Sequence, residues 1–322
     1  MSDPLGSPVH TNTLTLAQLS DIHLGPLPLI PLRLLNAKRL AGTLNWHRKR
    51  RHTHLPSVAD ALLRDVIAAG VDHIAVTGDL TNIGLPSEIL RAAQWLEQLG
   101  APHQVSAIPG NHDIYSTVHG RRLGVAGLDA WRPNFASNAE GLKYAGNEPF
   151  PFVRVLGSGA LRVALIGLNS AIETPPMIAH GQLGRMQLAA LERILVATRA
   201  DGLIRAVMLH HPPLPNMTAP HHELRDAAAL AGVLARHGAE LVIHGHNHRR
   251  MINSLTGPSG AIPIVGAPSA SAARSHKGEN LARAHLFEFR TQATGQRPHI
   301  TLIARGLTAE RGQIAEVERL VL

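Results

Sequence analysis

The stretch ELVIHGHNH, residues 240–248, joins a short apolar run to three histidines that are spaced two residues apart. The residues from Leu241 to Ile243 have the length and composition of a buried strand, and His244, His246 and His248 follow where that strand would end. Three interpretations are open: the histidines are ligands of one metal, they belong to a histidine-rich strand, or they have different roles. Partners elsewhere in the chain must decide among these interpretations.

The composition of the 322 residues is that of a folded protein with a substantial core, in one large domain or two ordinary ones. We expect no membrane-spanning helix, because no apolar run reaches roughly 18 residues, and no secretory signal at the start of the sequence. Cysteine is absent, so any metal must be bound by His, Asp, Glu, Asn or water. The lack of cysteine favours a reducing, cytoplasmic location, although it is also compatible with the periplasm.

Apolar runs that end in polar residues recur at lengths typical of strands, at 13–21, 73–79, 104–113, 162–170, 205–213 and 240–248. Segments with helical periodicity lie between several of these runs, at 55–70, 85–100, 184–199 and 223–238. The first two of them begin with a Pro–Ser pair after leucine and end on glycine. This alternation predicts an α/β protein with largely parallel central strands, whose functional residues collect at the carboxyl ends of the strands.

The last part of the chain is predicted to contain strands and little helix, because apolar segments lie at 261–274, 282–289 and 299–306. We expect these segments to form a second sheet. Residues 114–150 have no strong periodicity, and we expect them to form a loop-rich cap.

Five short motifs follow the apolar runs in order: D-x-H at 21–23, G-D at 78–79, G-N-H-D at 110–113, H-H-P-P at 210–213 and G-H-x-H at 245–248. Each motif is common by itself, but the ordered set, from about residue 14 to about residue 255, resembles the calcineurin-like metallophosphoesterase superfamily. Its pattern is similar to that of the class III cyclic-nucleotide and glycerophosphodiester phosphodiesterases. The resemblance implies a four-layer αββα sandwich of two mixed sheets, with residues 1–322 forming a single metallophosphoesterase domain.

The resemblance also implies a site for two divalent metal ions, and a mixed shell of nitrogen and oxygen ligands suits Mn, Fe or Zn. In this interpretation Asp79 bridges the two ions. The other six ligands divide into two sets: Asp21, His23 and His248 for one ion, and Asn111, His210 and His246 for the other. A hydroxide that bridges the ions would attack phosphorus in line.

His112 and Asp113 are the catalytic residues that the resemblance implies. The family's histidine at the position of His112 stabilises the phosphoryl oxygens or protonates the leaving group, and we expect Asp113 to orient His112. His211 and His244 have no ligand position left to fill. We therefore expect them to lie behind the ligands or, for His211, to face the substrate.

A basic insert, residues 24–54, separates the first motif from the helix that follows it. The segment from Ile22 to Ala59 contains seven lysine and arginine residues and no aspartate or glutamate. It therefore carries seven of the eight net positive charges of the chain. One interpretation is an additional pair of surface helices with solvated charges. The other is an amphipathic flap, residues 25–51, that docks on an anionic membrane surface or guides a polyanionic substrate. We expect the histidines of the insert, including His54, to be solvated or to bind anions rather than metal.

Together these features predict a metal-dependent phosphoric ester hydrolase, specifically a phosphodiesterase. We expect it in the cytoplasm, and peripheral to the membrane if the basic insert docks on lipids. The alternatives are a lipid or nucleotide-sugar pyrophosphohydrolase at the membrane surface and a non-catalytic scaffold of the same fold. The sequence leaves the natural substrate, the metal and the oligomeric state open. A role in nucleic acid binding is disfavoured, because the near-neutral body of the chain lacks the broad basic track that a phosphate backbone requires.

Overall fold

Twelve strands form two six-stranded sheets in the computed structural model, which describes residues 13–117, 121–138, 149–275, 278–291, 297–310 and 312–322. The first sheet contains β1 (Thr13–Leu19), β2 (His73–Val76), β3 (Val105–Ala107), β10 (Arg283–Arg290), β11 (His299–Leu307) and β12 (Ile314–Val321). The second sheet contains β4 (Phe152–Ser158), β5 (Leu161–Gly167), β6 (Ile204–Met208), β7 (Leu241–His244), β8 (Met251–Gly257) and β9 (Gly260–Gly266). The spatial orders are β12-β11-β10-β1-β2-β3 and β4-β5-β6-β7-β9-β8.

Both sheets are mixed: the parallel strands form one half of the first sheet, ending at the edge strand β3, and the centre of the second sheet. β1, β2 and β3 are parallel neighbours, as are β5, β6, β7 and β9. The strand-rich last part of the chain does not form a sheet of its own, contrary to our expectation. Instead β9 extends one sheet, while β10 pairs antiparallel with β1 and brings β11 and β12 into the other. The pairing with β10 covers an edge of β1 whose backbone groups would otherwise lack partners.

The helical segments before the first long helix all belong to the basic insert: a 3-10 turn (Leu32–Leu34), α1 (Ala37–Asn45), a π-helical stretch (Trp46–Arg50) and α2 (Arg51–Thr53). Four longer helices confirm the four predicted helical segments: α3 (Pro56–Ala68), α4 (Pro86–Leu99), α5 (Arg185–Ala200) and α6 (Ala227–His237). Two 3-10 segments, Gly124–Phe135 and Pro220–His222, complete the helical elements of the described chain. Proline at the first position of α3 and α4 supplies a φ angle that suits a helix start.

The layers follow from the alternation of side chains along the central strands. In β5, Val163 and Leu165 belong to the large core that includes residues of both sheets, whereas Ala164 and Ile166 belong to a second core with α5 and α6. On the other side, α3 and α4 contribute apolar residues such as Leu62 to the large core. The structure is therefore the predicted four-layer sandwich, and burial on both faces explains the near-continuous apolar runs of the central strands.

Residues 121–138, the central described part of the predicted cap, pack against α4. Trp131 is buried, and its indole N–H donates a hydrogen bond to the carbonyl oxygen of Ile89 at 2.9 Å. The cap itself remains a prediction, because residues 118–120 and 139–148 lie outside the described residues. Among the helices of the described chain, none has both the length and the apolar character needed to cross a membrane.

Candidate metal centre

The seven predicted ligands lie in loops that leave the carboxyl ends of β1, β2, β3, β6 and β7. Each loop carries its ligand a few residues past the last paired residue, for example Asp79 after β2 and Asn111 after β3. The strands are therefore shorter than the predicted apolar runs, and the motifs themselves are loops. Because parallel strands end at the same edge of a sheet, the loops of each sheet meet there, and side chains from the loops of the two sheets are in contact.

The backbone of these loops is held in an unusual conformation. Five of the seven non-glycine residues with positive φ in the described chain are predicted ligands: Asp21, His23, Asp79, His246 and His248. Non-glycine residues rarely adopt such φ angles, and residues that do are concentrated at functional sites. The values of 73° and 52° at His246 and His248 end the strand alternation that would have placed both side chains on one face. For this reason the side chains of His246 and His248 point in different directions, toward two separate groups of predicted ligands.

The first group consists of Asp21, His23 and His248, with Asp79 beside them. Nε2 of His248 lies 3.3 Å from Oδ1 of Asp21 and 3.4 Å from Nε2 of His23. Nε2 of His23 lies 3.9 Å from Oδ2 of Asp79. Four side chains from three loops therefore direct nitrogen and oxygen atoms toward one small volume.

The second group consists of Asn111, His210 and His246. Oδ1 of Asn111 lies 2.9 Å from Nδ1 of His246 and 3.2 Å from Nε2 of His210. Nε2 of His210 in turn lies 3.5 Å from the same Oδ2 atom of Asp79 that His23 approaches. The carboxylate of Asp79 thus stands between the two groups, which is the place that a bridging ligand requires.

The chemistry of these side chains fits two divalent cations. Carbonyl oxygens of Thr81 and Thr77 accept hydrogen bonds from Nδ1 of His23 at 3.0 Å and of His210 at 2.8 Å. These bonds fix the tautomer and leave both Nε2 lone pairs facing the site, as in many metal-binding histidines. Burial lowers the pKa of His23 well below its usual value and so favours the neutral, ligating form. Oδ1 of Asp21 is buried without a hydrogen-bond partner in the described chain, as expected of a metal ligand.

His248 also fits a cation site, although its protonation differs from that of His23. Burial opposes a charge on the ring, but the carboxylates of Asp21 and Glu279 raise the pKa of His248 to about 10. Nδ1 of His248 lies 3.6 Å from the Glu279 carboxylate, on the side of the ring away from Asp21. The two carboxylates favour positive charge here, and a metal ion would supply that charge in place of the proton.

Asp113 has partners different from the one that we expected. Its carboxylate accepts hydrogen bonds from the backbone N–H groups of Asp79 at 2.8 Å, Thr81 at 2.9 Å and Gly110 at 2.9 Å. It makes no hydrogen bond with the His112 ring among the described contacts. With a fourth, longer bond from the N–H of Leu80 at 3.3 Å, four converging N–H donors satisfy this buried carboxylate. Asp113 therefore fastens the loop after β2 to the loop after β3 and fixes the position of Asp79.

His112 faces Arg50, a residue that the sequence did not single out for the site. Nδ1 of His112 lies 2.5 Å from the carbonyl oxygen of Asn82, so this nitrogen carries the proton. Nε2 then accepts a hydrogen bond from Nη2 of Arg50 at 2.7 Å. Burial and the neighbouring guanidinium lower the pKa of His112 well below its usual value. A neutral histidine and an arginine thus lie side by side next to Asp79, whose Oδ1 accepts the backbone N–H of His112 at 2.8 Å.

Other histidines surround the two groups. His54 of the basic insert is buried, and its ring centroid lies 4.8 Å from that of His23, contrary to the expectation of a solvated residue. Its Nδ1 contacts the hydroxyl of Ser271 at 2.9 Å, because the end of the insert folds back onto the loop that follows β9. His23, His54 and His248 form one of the clusters with metal-binding spacing. The sequence did not indicate a buried position for His54, because the seven basic residues of the insert are typical of a surface segment.

The structure places His211 and His244 next to the predicted ligands, in the interior of the protein. Both are fully buried. The ring of His211 contacts the Ser170 hydroxyl at 2.8 Å and the Ala179 carbonyl at 3.1 Å, so both its nitrogens have partners. His244 ends β7, and Nδ1 contacts the carbonyl oxygen of Gly245 at 3.1 Å. Among the described ion pairs, the Asp79 carboxylate contacts His23 and His210 but neither His211 nor His244. This agrees with a role for His211 and His244 in supporting the predicted ligands.

The geometry of the centre agrees with comparisons to known proteins. The model of the calcineurin-like phosphoesterase family matches residues 14–250. The chain belongs to this family. The match covers the five motifs and the basic insert, and it ends just after the loop that carries His248.

Proteins with curated descriptions are similar to this chain over part of their length. A cAMP/cGMP dual specificity phosphodiesterase of Mycobacterium tuberculosis is 32% identical over 183 residues, which are 55% of this chain and 48% of that protein. A probable cyclic nucleotide phosphodiesterase of Synechococcus sp. is 28% identical over 262 residues, 80% of either protein. A solved dimetal phosphatase from Danio rerio is 14% identical, with a TM-score of 0.53, over 96% of this chain and 98% of that one. This last likeness concerns the fold alone.

Proposed function

We propose that the chain is a dinuclear metal-dependent phosphodiesterase. The observation that carries the proposal is the position of Asp79, whose Oδ2 atom lies within 3.9 Å of His23 in one ligand group and 3.5 Å of His210 in the other. Two ions held by these groups would supply positive charge to the phosphoryl oxygens and lower the pKa of water for an in-line displacement at phosphorus. The proposal assigns Asp21, His23 and His248 to one ion, Asn111, His210 and His246 to the other, and Asp79 to both.

His112 and Arg50 have complementary tasks in this proposal. Arg50 presents its guanidinium beside the bridging carboxylate, where it can donate hydrogen bonds to phosphoryl oxygens as charge develops on them. The neutral His112 ring offers Nε2 at the same place, held in orientation by the Asn82 carbonyl. A phosphate group that enters between the two side chains would take the hydrogen bond that Arg50 now donates to His112. Asp113 positions Asp79 and does not touch the substrate.

Cyclic nucleotides are the first substrates to test, because the two curated relatives described above are named as cyclic nucleotide phosphodiesterases. A cavity of about 320 Å³ adjoins the centre and is bordered by Asn111 and His112. This volume is at the lower end of those that bind small molecules. It accommodates the organic part of a phosphodiester while the phosphate faces the ligand groups.

The lining of this cavity favours a second candidate function. Much of its wall is apolar or small, with Ala41 and Gly42 from α1 on one side and residues 176–179 on the other. An apolar wall beside a phosphate site suits a substrate with a lipid portion. A pyrophosphohydrolase that acts on a lipid-linked or nucleotide-sugar pyrophosphate is therefore the alternative.

One panel of substrates separates these functions. The metal-free protein, resupplied with Mn²⁺, Fe²⁺ or Zn²⁺, would be assayed with bis-p-nitrophenyl phosphate, p-nitrophenyl phosphate, cyclic AMP, a glycerophosphodiester and a nucleotide-sugar pyrophosphate. A phosphodiesterase hydrolyses the diesters in preference to the monoester and the pyrophosphate. A preference for the pyrophosphate would favour the alternative function instead.

The Asp79→Asn variant tests whether the centre is catalytic at all. Loss of the bridging carboxylate should lower turnover about 1,000-fold or more, since both ions lose a ligand. Asp60→Asn, a change at an exposed carboxylate of α3, should leave turnover unchanged. Equal turnover by the wild type and Asp79→Asn would contradict the proposal, and folded protein inactive on every substrate with every metal would favour a scaffold.

A further inference from the structure

The basic insert exposes apolar side chains to an unusual degree. Twelve large hydrophobic residues of the described chain are strongly exposed, and five of them fall between residues 29 and 44. Leu29 is 97% exposed and Leu32 is 87% exposed, while Leu40 and Leu44 are each about half exposed. Scattered single leucines on a surface need no explanation, but a concentration in one segment marks an interaction site.

Helix α1 has its amphipathic faces reversed. Leu40 and Leu44 lie one turn apart on the outer face, whereas Lys38 and Arg39 are buried on the inner face. A helix on a water-facing surface normally does the opposite and turns its leucines toward the core. The sequence of α1 shows only that the helix has an apolar face and a basic face. The structure shows that the apolar face is directed outward, and this orientation indicates an interaction surface.

Hydrogen bonds to neighbouring loops keep the helix in this orientation. Nζ of Lys38 donates to the carbonyl and hydroxyl oxygens of Thr174 at 2.9 and 2.8 Å. The guanidinium of Arg39 donates to the carbonyl oxygens of Leu34 at 2.8 Å and Thr117 at 3.0 Å, and approaches that of Ile83. Both buried cations are therefore satisfied, and the leucines are left outside because the inner positions are occupied.

Cationic side chains accompany the exposed leucines. Arg33, Arg48, Lys49 and Arg51 are exposed. No carboxylate of the described chain forms an ion pair with any of them. Arg48 follows Leu44 by one turn of the continuing helix. The surface of the insert thus combines exposed leucine side chains with unpaired positive charge. It is complementary to a partner surface that has an anionic outer layer and an apolar layer beneath it.

We propose that the insert docks on an anionic lipid bilayer. The leucines at 29, 32, 40 and 44 enter the boundary between headgroups and acyl chains, and the exposed arginine and lysine side chains bind lipid phosphates, as in helices that lie in the membrane interface. A second copy of the chain fits the same face poorly, because a twofold contact would bring unpaired cations together. The inner flank of α1 borders the cavity beside the candidate metal centre, so docking would place the mouth of that cavity at the lipid surface.

Vesicle flotation with matched variants tests the proposal and does not depend on the proposed function. The full chain would be mixed with vesicles of phosphatidylglycerol and phosphatidylcholine, or of phosphatidylcholine alone. The double variant Leu40→Ser/Leu44→Ser removes outward leucines of the insert. The control variant Leu90→Ser/Val196→Ser removes two exposed apolar side chains from α4 and α5. Thermal unfolding would confirm that both variants are folded.

We expect the wild type and the control to float with the anionic vesicles, and the Leu40→Ser/Leu44→Ser variant to bind them about tenfold more weakly. Omission of phosphatidylglycerol or addition of high salt should release the wild type. Wild-type protein that does not bind anionic vesicles, or that binds them as the insert variant does, overturns the proposal. Light scattering supplies another contrary outcome: a wild-type dimer that the insert variant loses would show that a second copy covers this face.

Discussion

The guanidinium of Arg50 donates a hydrogen bond to Nε2 of His112 across a separation of 62 residues in the chain. The basic insert is therefore not a surface appendage, because one of its arginines reaches the candidate metal centre. His112 belongs to a motif that is readable in the sequence, whereas Arg50 lies in a run of basic residues with nothing to mark it. The pairing of these two residues connects the insert to the chemistry of the site.

The first prediction concerns Arg50. We expect Arg50→Ala to lower kcat for a phosphodiester about 100-fold, since the loss of one preorganised donor to the transition state has effects of this order. Arg50→Lys should recover part of the loss, because it restores a charge without the two-pronged geometry of guanidinium. The control is Arg64→Ala, at an exposed arginine of α3. Steady-state kinetics measure these effects, and unchanged kcat in Arg50→Ala would exclude a role in the reaction.

The second prediction concerns Asp113. We expect Asp113→Asn to weaken metal binding about 10- to 100-fold, because an amide would direct an N–H group toward backbone N–H donors and shift Asp79. Titration of the metal-free protein with Mn²⁺ would measure the affinity. Asp201→Asn, at an exposed carboxylate that follows α5, is the matched control. An affinity equal to that of the wild type would show that the loop after β2 keeps Asp79 in place without Asp113.

The third prediction concerns Arg39, whose guanidinium is buried among carbonyl oxygens. Arg39→Met leaves those oxygens without donors, and we expect a loss of about 3 kcal/mol of unfolding free energy. Because the bonds tie α1 to the segments on either side, the insert should also become sensitive to limited proteolysis. Arg33→Met, at an exposed position of the same insert, should change neither property. Equal proteolysis of the two variants would contradict the stabilising role.

The fourth prediction concerns the dependence of stability on pH. Burial, followed by the charge of Arg283, lowers the pKa of His285 to about 3, and neither ring nitrogen has a hydrogen-bond partner in the described chain. The unfolded chain takes up a proton near pH 6.5 and the folded chain does not, so stability decreases as pH falls below 6.5. Between pH 7 and pH 5 this one histidine accounts for a loss of about 2 kcal/mol.

The variant His285→Leu should therefore lose about 2 kcal/mol less than the wild type over the same interval, as measured by denaturant unfolding at each pH. Nearby charges on Arg250 and Glu318 are present in both proteins and so cancel in the comparison. Identical slopes for the wild type and His285→Leu would show that His285 can be protonated within the fold.

Much of the candidate metal centre and of the fold could be predicted from the sequence because both have local signatures. The helices over 56–68 and 86–99 have their own start and stop signals, and the motifs that follow β1, β2, β3, β6 and β7 are contiguous in the chain. β4 and β8 were not predicted, because they are edge strands whose identity depends on pairing with β5 and β9. The placement of β10 beside β1 was missed for the same reason, since long-range pairing leaves no periodic mark on one strand.

The sequence by itself determined the α/β layering, the five motif loops and the residue types available for two metal ions. Only the tertiary structure decided that Asp113 holds the backbone around Asp79, that Arg50 and His54 reach the centre, and that α1 turns Leu40 and Leu44 outward. Periodicity shows that a helix has two unlike faces, but what packs against the helix decides which face lies inside. Here the carbonyl groups around Lys38 and Arg39 decide it, and those groups come from distant parts of the chain.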